Sequence, residues 1–464
     1  MLKEGKSRQG LIYRTFRAYL RFVHDCFFYR KVYRINQENV PSDGTPVLIV
    51  SNHQNCLCDP LGVLLAFKDR KPSVLVRADV FAIHPFITKV LYKMGLLPAY
   101  RLNFDGKELL WKNKDMFKVS EEGLLSGNTL LMYPEGMHQD KHWLGDFSFG
   151  YTKMAFEAAE LDDFQTEIFI LPCSNHYSAY YDIRNDMLIK FGTPVSIKPY
   201  YELYKTKPRT AQRQVNAVVW KQMSDLMLNI TDLDNYRAID FLRNTYGRKY
   251  ADKQGLRPDF LPEKLLSDQR FFETLQNIKC TTDNPAGEGS QIDDKQLSMD
   301  EIYADVLTLE KELKRLRVRD DQFDKAPGWT FVLMSFIALV LLFPVWLFAL
   351  WPNLLIYKAP LLVMCRVKDK MFHNSFLYGM SVLITMPLLY TLSFILVWVC
   401  VNFWTAAIYA VALPFLGVFA WYYWKYAVRM VQDVRFLRVA KTDAGRKARE
   451  LRDKIYKRLN NILK

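Results

Sequence analysis

Pro46-Val-Leu-Ile-Val-Ser-Asn-His-Gln-Asn-Cys-Leu-Cys-Asp-Pro60 is the stretch whose reading decides the fold. Val47 to Val50 is a short apolar run bounded by turn formers, which predicts a buried strand. Ser51, Asn52 and His53 end it, and Asp59 follows six residues after His53, with Pro60 next. Aspartate before proline predicts a helix opening, with Asp59 at the N-cap and Pro60 at the first helical position. A histidine therefore leaves the end of a strand while a carboxylate waits at the start of the next helix. A carboxylate that holds one imidazole nitrogen leaves the other free to take a proton from a hydroxyl. The same two residues also occur as a buried histidine beside an ordinary capping aspartate, so alone they do not establish catalysis.

A second stretch, Asn128 to His138 (NTLLMYPEGMH), again reads as a strand that stops in a turn, here Pro-Glu-Gly. Four blocks then stand in order: Asn52-His53 through Asp59; Gly95-Leu-Leu-Pro98-Ala-Tyr-Arg101; Tyr133-Pro134-Glu135-Gly136; and Ile170-Leu171-Pro172. This order resembles the glycerolipid acyltransferase family, which moves fatty acyl groups from acyl-CoA or acyl carrier protein to glycerol phosphates. The resemblance covers roughly residues 40–200 and departs from the family in two places. Five residues, Gln54 to Cys58, separate His53 from Asp59 where the family usually has four. That spacing is similar to the fungal-type glycerol-3-phosphate/dihydroxyacetone-phosphate acyltransferases. Met137 replaces the hydroxyl residue usual after Glu-Gly.

The resemblance implies direct transfer to the acceptor, with no covalent acyl-enzyme and no cofactor beyond the acyl donor. His53 would be the general base and Asp59 its orienter. Arg101 would meet the acceptor phosphate, a task suited to bidentate guanidinium contact. Glu135 and Gly136 would belong to the acceptor-binding block. A glutamate beside a phosphate repels it, so Glu135 would bond a glycerol hydroxyl or hold Arg101. Glycine at 136 would permit close backbone approach to a ligand. The competing readings are acylation of 1-acylglycerol 3-phosphate, and a membrane-anchored lipid-binding protein without turnover. The intact His53/Asp59 pair and Glu135-Gly136 argue against the latter.

Composition narrows the partners. Lys and Arg number 63 against 49 Asp and Glu, a net of +14, and aromatic residues reach 14%. A basic balance suits nucleic acid or an anionic membrane surface. Long apolar runs near the C-terminus decide for the membrane, and no zinc-finger or RNA-binding signature competes. Seven cysteines, at 26, 56, 58, 173, 280, 365 and 400, suit free thiols in a reducing compartment. Cys56 and Cys58 beside His53 lack the spacing and second pair of a zinc site. His138 and His142 have the i, i+4 spacing of a helical metal pair. Gln139-Asp140-Lys141 between them reads as loop, however, and His176 is not specified as a third ligand, so no metal is expected. Lys153 falls where the family often has a basic residue, either for CoA phosphates or as a solvated lysine.

In chain order, residues 1–35 read as an amphipathic helix region. Leu11 to Tyr33 puts apolar and aromatic residues on one face and Arg14, Arg17, Arg21, Arg30 and Lys31 around the other, which suits a membrane interface or packing on the catalytic core. Residues 36–207 alternate strand-like and helical runs, which predicts an α/β fold, a mixed sheet flanked by helices. Residues 208–278 read as a helical extension, 279–300 as a polar linker, and 301–326 as a charged helix. Residues 327–424 read as membrane-embedded helical hairpins, and 425–464 as a basic tail of thirteen basic and four acidic residues.

Trp329 to Trp351 runs without a charge, long enough to span about 34 Å as a helix at 1.5 Å per residue. A break is expected at Pro352-Asn353, and a second hairpin turns at Asn402. Positive loops stay cytoplasmic, which places the catalytic domain, Arg366 to Lys370 and the tail on one side. The expected protein is integral to the membrane, with its catalytic domain cytoplasmic and anionic lipid against its basic tail.

Overall fold

The apolar runs of the catalytic segment assemble into one mixed sheet. The computed structural model describes residues 10–68, 70–82, 84–99, 111–283, 292–366 and 372–463. Among these, eight strands form the sheet: β1 (Lys31–Ile35), β2 (Val47–Ser51), β3 (Ser73–Arg77), β4 (Leu96–Ala99), β5 (Thr129–Met132), β6 (Phe169–Tyr177), β7 (Asp186–Phe191) and β8 (Val195–Ser196). Their order is β1-β7-β6-β2-β5-β3-β4, with β8 pairing β6 from off this path. Strands β6, β2, β5, β3 and β4 are mutually parallel, whereas β7 and β8 run antiparallel to β6. The expected α/β mixed sheet is the observed one.

Strand β2 is central, and its five residues are all buried, as a strand covered on both faces must be. Because side chains alternate, Leu48 and Val50 face one layer and Val47 and Ile49 the other. The first layer comprises helices Gly150–Glu160 and Pro208–Leu226, which place Tyr151, Met154, Phe156, Val215, Val219 and Met223 in the core with Leu48 and Val50. Helix Pro208–Leu226, read from sequence as the start of an extension, thus belongs to the core of the catalytic sheet. On the other side helix Cys58–Ala66 lies so close to the sheet that a methyl at Gly62 would run into Met187 of β7. Helix Leu11–Val23 buries Tyr13, Leu20 and Val23 and bonds Phe67 O through Arg17, while Leu11 and Phe22 stay exposed.

The chain divides into two compact units, one of residues 1–229 with 362–382, the other of 230–361 with 383–464. The second unit is helical. Arg452 is buried and bonds Asp320 (2.7 and 3.1 Å) and Asp324 (2.5 Å). Lys454 meets Asp305 at 2.8 Å and Arg458 meets Glu301 at 3.1 Å. The expected basic tail, 425–464, is therefore folded, as the end of helix Phe403–Val439 and as helix Asp443–Ile462, with part of its charge paired internally. Residues 284–291 of the expected polar linker lie outside the described residues, and its flanks are helical, 279–283 ending helix Leu261–Asp283 and 292–300 opening helix Ile292–Leu316.

Three helices among the described residues are long and apolar enough to cross a membrane: Trp329–Met364, Gly379–Cys400 and Phe403–Val439. The turn expected at Asn402 is present, with the Asn402 side chain capping the next helix at Thr405 N, 2.9 Å away. The break expected at Pro352-Asn353 is not. One 36-residue helix passes through Pro344, Pro352 and Pro360. Neighbouring apolar helices tolerate such prolines by offering other partners to the backbone. Side chains tie this helix to its neighbours, Tyr390 donating to Asn353 Oδ1 at 2.7 Å and Tyr357 to Gly417 O at 2.7 Å.

Candidate active site

Parallel pairing brings the carboxyl ends of β2, β5 and β6 to one edge, where open α/β sheets bind ligands. His53 leaves β2 there, and its Nδ1 lies 3.0 Å from Asp59 Oδ2. The same oxygen accepts the backbone N–H of Gln54 (2.7 Å) and of Asn55 (2.6 Å). Asp59 Oδ1 accepts the Tyr177 hydroxyl at 2.5 Å. Asp59 is fully buried, and these bonds replace the water it has lost. With every neighbour donating, the proton between the pair sits on His53 Nδ1, and Nε2 presents a lone pair. The His53 side chain remains 12% exposed, so that nitrogen is reachable from solvent.

Asp59 does not cap its helix as expected. The helix begins at Cys58 with Leu57 at its N-cap, and Asp59 sits inside the first turn. Its carboxylate turns back to the loop that precedes it, which is how one residue serves both His53 and the loop backbone.

Further residues hold the imidazole. The Tyr133 ring stacks on His53, centroids 4.1 Å apart and planes 22° apart, and His138 approaches edge-on at 5.7 Å. Burial keeps the Tyr133 and Tyr177 phenols far above their usual range, so both stay protonated. Asn52 Nδ2 donates to Asn175 O (3.0 Å) and Asn52 Oδ1 accepts Asn175 N–H (2.7 Å), stapling the end of β2 to β6. The Tyr180 hydroxyl bonds Gln54 O. Tyr133 stood in the quoted block, but nothing in the sequence marked Tyr177, Tyr180 or Asn175.

Glu135 is engaged at both oxygens. Oε1 accepts His53 N–H at 3.1 Å, and Oε2 accepts Gln139 Nε2 and Gly145 N–H, each at 3.1 Å. Burial raises its pKa, and these donors offset the rise only in part. The carboxylate thus braces the third block against the first. Glu135→Gln keeps one acceptor and turns an amide NH₂ toward existing donors. It should cost about 1–3 kcal/mol, read as a lower unfolding temperature, together with reduced turnover. Wild-type stability and turnover in that variant would rule the brace out.

Gly136 has φ of +69°, and nothing lies within 4 Å of where a Cβ would stand. Glycine is favoured there by the left-handed turn, not by crowding. Arg101 lies outside the described residues.

Other candidates fall elsewhere. His142 and His176 pair with ring centroids 5.2 Å apart, and His138 lies against Phe372 at 4.5 Å. Among the described residues no group of three or more His, Cys, Asp or Glu could hold a metal ion. Burial pushes the Cys58 and Cys173 thiols well up, which leaves both as protonated core residues. Lys153 is exposed and lies 3.5 Å from Glu157, one helical turn on.

Residues 31–175 match the family model described as Acyltransferase. A protein of Schizosaccharomyces pombe described as an uncharacterized acyltransferase is 28% identical over 128 residues, 26% of this chain. That match spans only 18% of the curated relative's length. The 1-acyl-sn-glycerophosphate (LPA) acyltransferase PlsC of Thermotoga maritima is similar in structure at a TM-score of 0.32 and 16% identity. That comparison covers 46% of this chain and 78% of the other. The matched stretch, residues 31–175, holds His53, Asp59, Arg101, Glu135 and Gly136.

Proposed function

We propose that this protein is a membrane-bound O-acyltransferase that moves a fatty acyl group from acyl-CoA or acyl carrier protein to glycerol 3-phosphate or dihydroxyacetone phosphate. The observation that carries the reading is His53, fixed at Nδ1 by Asp59 and open at Nε2. His53 Nε2 takes the proton of the acceptor hydroxyl as its oxygen attacks the thioester carbonyl. The carbon–sulfur bond then breaks, and the proton passes to the departing thiolate. A base so placed contributes about 10²- to 10⁴-fold. No cofactor is required beyond the acyl donor.

Arg101 is assigned to the acceptor phosphate and Gly136 to the acceptor-binding turn, with Glu135 acting through its brace on His53. Arg101→Ala should raise the acceptor KM about tenfold or more with a smaller change in donor KM, because a lost phosphate contact is mostly lost ground-state binding. An equal rise in donor KM would move Arg101 to the donor side.

The three apolar helices support membrane integration, and the basic residues of 366–370 and of the tail support a cytoplasmic catalytic domain. Exposed Leu11 and Phe22 on the basic helix Leu11–Val23 support interfacial contact as well. The test is purified membranes supplied with labelled glycerol 3-phosphate, dihydroxyacetone phosphate or 1-acylglycerol 3-phosphate. Acylation of either unacylated acceptor is expected. Turnover of the 1-acyl acceptor alone would place the protein one step later, and no turnover of any would leave a lipid-binding protein.

A further inference from the structure

The loop between His53 and Asp59 is completed by a residue more than three hundred positions away. Leu57 N–H donates to Ser375 Oγ at 3.0 Å, and Ser375 Oγ donates to Asn55 Oδ1 at 2.5 Å. Asn55 Oδ1 also accepts Cys58 N–H at 3.1 Å, and Asn55 N–H bonds Asp59 Oδ2 at 2.6 Å. We propose that Ser375 is a positioning residue for the His53–Asp59 pair, acting through Asn55 and Leu57. The proposal rests on the acyl-transfer reading for its kinetic consequence only.

A loop of five residues has backbone donors that the Asp59 carboxylate does not reach, and Leu57 N–H is one of them. Ser375 and Asn55 are both buried, so water does not substitute for the hydroxyl. The segment carrying Ser375 is itself anchored within the same compact unit. Tyr378 is fully buried against Phe28 (4.6 Å between ring centroids) and His24 (5.8 Å), and the Tyr19 hydroxyl bonds Val382 O at 2.8 Å. Phe372 lies against His138, the ring that meets His53 edge-on. A methyl placed on Gly379 would stand 3.4 Å from Leu57 Cδ2, so the loop and the segment are in contact beyond the hydrogen bonds.

Removing the hydroxyl takes the acceptor from Leu57 N–H and one of two donors from Asn55 Oδ1, which loosens the residue whose backbone N–H bonds Asp59 Oδ2. Misplacing a general base by about an ångström costs about a hundredfold. In the full-length protein, Ser375→Ala should therefore lower kcat about ten- to a hundredfold, with the KM of each substrate within about twofold of wild type. Ser375→Thr, which keeps the hydroxyl, should recover most of the loss. Ser375→Cys, which keeps the shape but bonds weakly, should fall between and serves if the alanine variant does not accumulate.

A second measurement does not depend on turnover. The rate at which diethyl pyrocarbonate modifies His53, followed by peptide mass, should rise at least about threefold in Ser375→Ala and return to the wild-type rate in Ser375→Thr. Wild-type kcat together with an unchanged His53 rate in Ser375→Ala overturns the proposal, as does a threonine variant no better than alanine. A wild-type protein without acyl transfer would sink the functional reading, while the His53 rates would still decide the role of Ser375.

Discussion

His53→Ala is expected to lower acyl transfer at least about a hundredfold while leaving folding and membrane insertion intact. The stability expectation follows from the surroundings of the ring. His53 is partly exposed, and its backbone bonds to Glu135 and Gln139 survive truncation of the side chain. The activity expectation follows from Nε2, which alanine removes from the position that Asp59 fixes. Asp59→Asn separates the two residues' tasks. An asparagine can set its oxygen where Oδ2 stands, accepting from His53, Gln54 and Asn55, and turn its NH₂ to the Tyr177 oxygen. Orientation is then kept and the charge that stabilises the imidazolium is lost, so the loss should be smaller than for His53→Ala. More than about a tenth of wild-type turnover in purified His53→Ala excludes the general base. A greater loss in Asp59→Asn than in His53→Ala would give the carboxylate a task of its own.

What the sequence disclosed of this site was local, and what it concealed was made by pairing between distant segments. Val47 to Val50 is an unbroken β-rich apolar run, and unbroken runs mark strands buried on both faces, so the centre of the sheet was legible. His53 and Asp59 were legible because both sit at the junction of that strand with its helix. The exact seat of Asp59 was not, since the capping rule ranks residues by local preference and Asp59 answers to donors in the preceding loop. Glu135 was found by its block, but its engagement with His53, Gln139 and Gly145 depends on β5 lying beside β2, which one sequence does not state. Tyr177 reaches Asp59 for the same reason, through β6 on the other side. Ser375 belongs to a stretch that reads as the start of an apolar run, and only its docking in the catalytic unit gives it a partner. Pro352-Asn353 misled in the opposite direction, because proline breaks helices in water more reliably than among apolar helices.

Cysteines placed at Lys325, Lys368 and Lys447 are expected to be labelled from the same side of sealed vesicles as a cysteine at Lys207 in the catalytic domain. Between Ile230 and Gly328 no helix among the described residues is long and apolar enough to cross a membrane, which is the ground for expecting Lys325 on the catalytic side. Residues 362–382 belong to the catalytic unit, where Ser375, Tyr378 and Val382 are bonded or buried. Lys368, outside the described residues, sits in the short stretch leading to them. Labelling of Lys325 and Lys368 from one side would require the continuous helix Trp329–Met364 to lie along or bend within the membrane, because the expected hairpin turn at Pro352-Asn353 is absent. Thirty-six residues make about 54 Å of helix against a hydrocarbon layer of about 30 Å, so a perpendicular crossing would leave apolar turns in water. An oblique or proline-bent course keeps them in lipid. On that expectation Gly379–Cys400 and Phe403–Val439 would leave and return as a pair, and Lys447 would be labelled from the catalytic side, in line with the charge rule. Lys368 reacting only from the opposite face would make Trp329–Met364 a full crossing. Such a crossing would separate Ser375 from His53 by the whole bilayer, so the same labelling also tests whether the loop that holds Asp59 is closed in the membrane-bound protein.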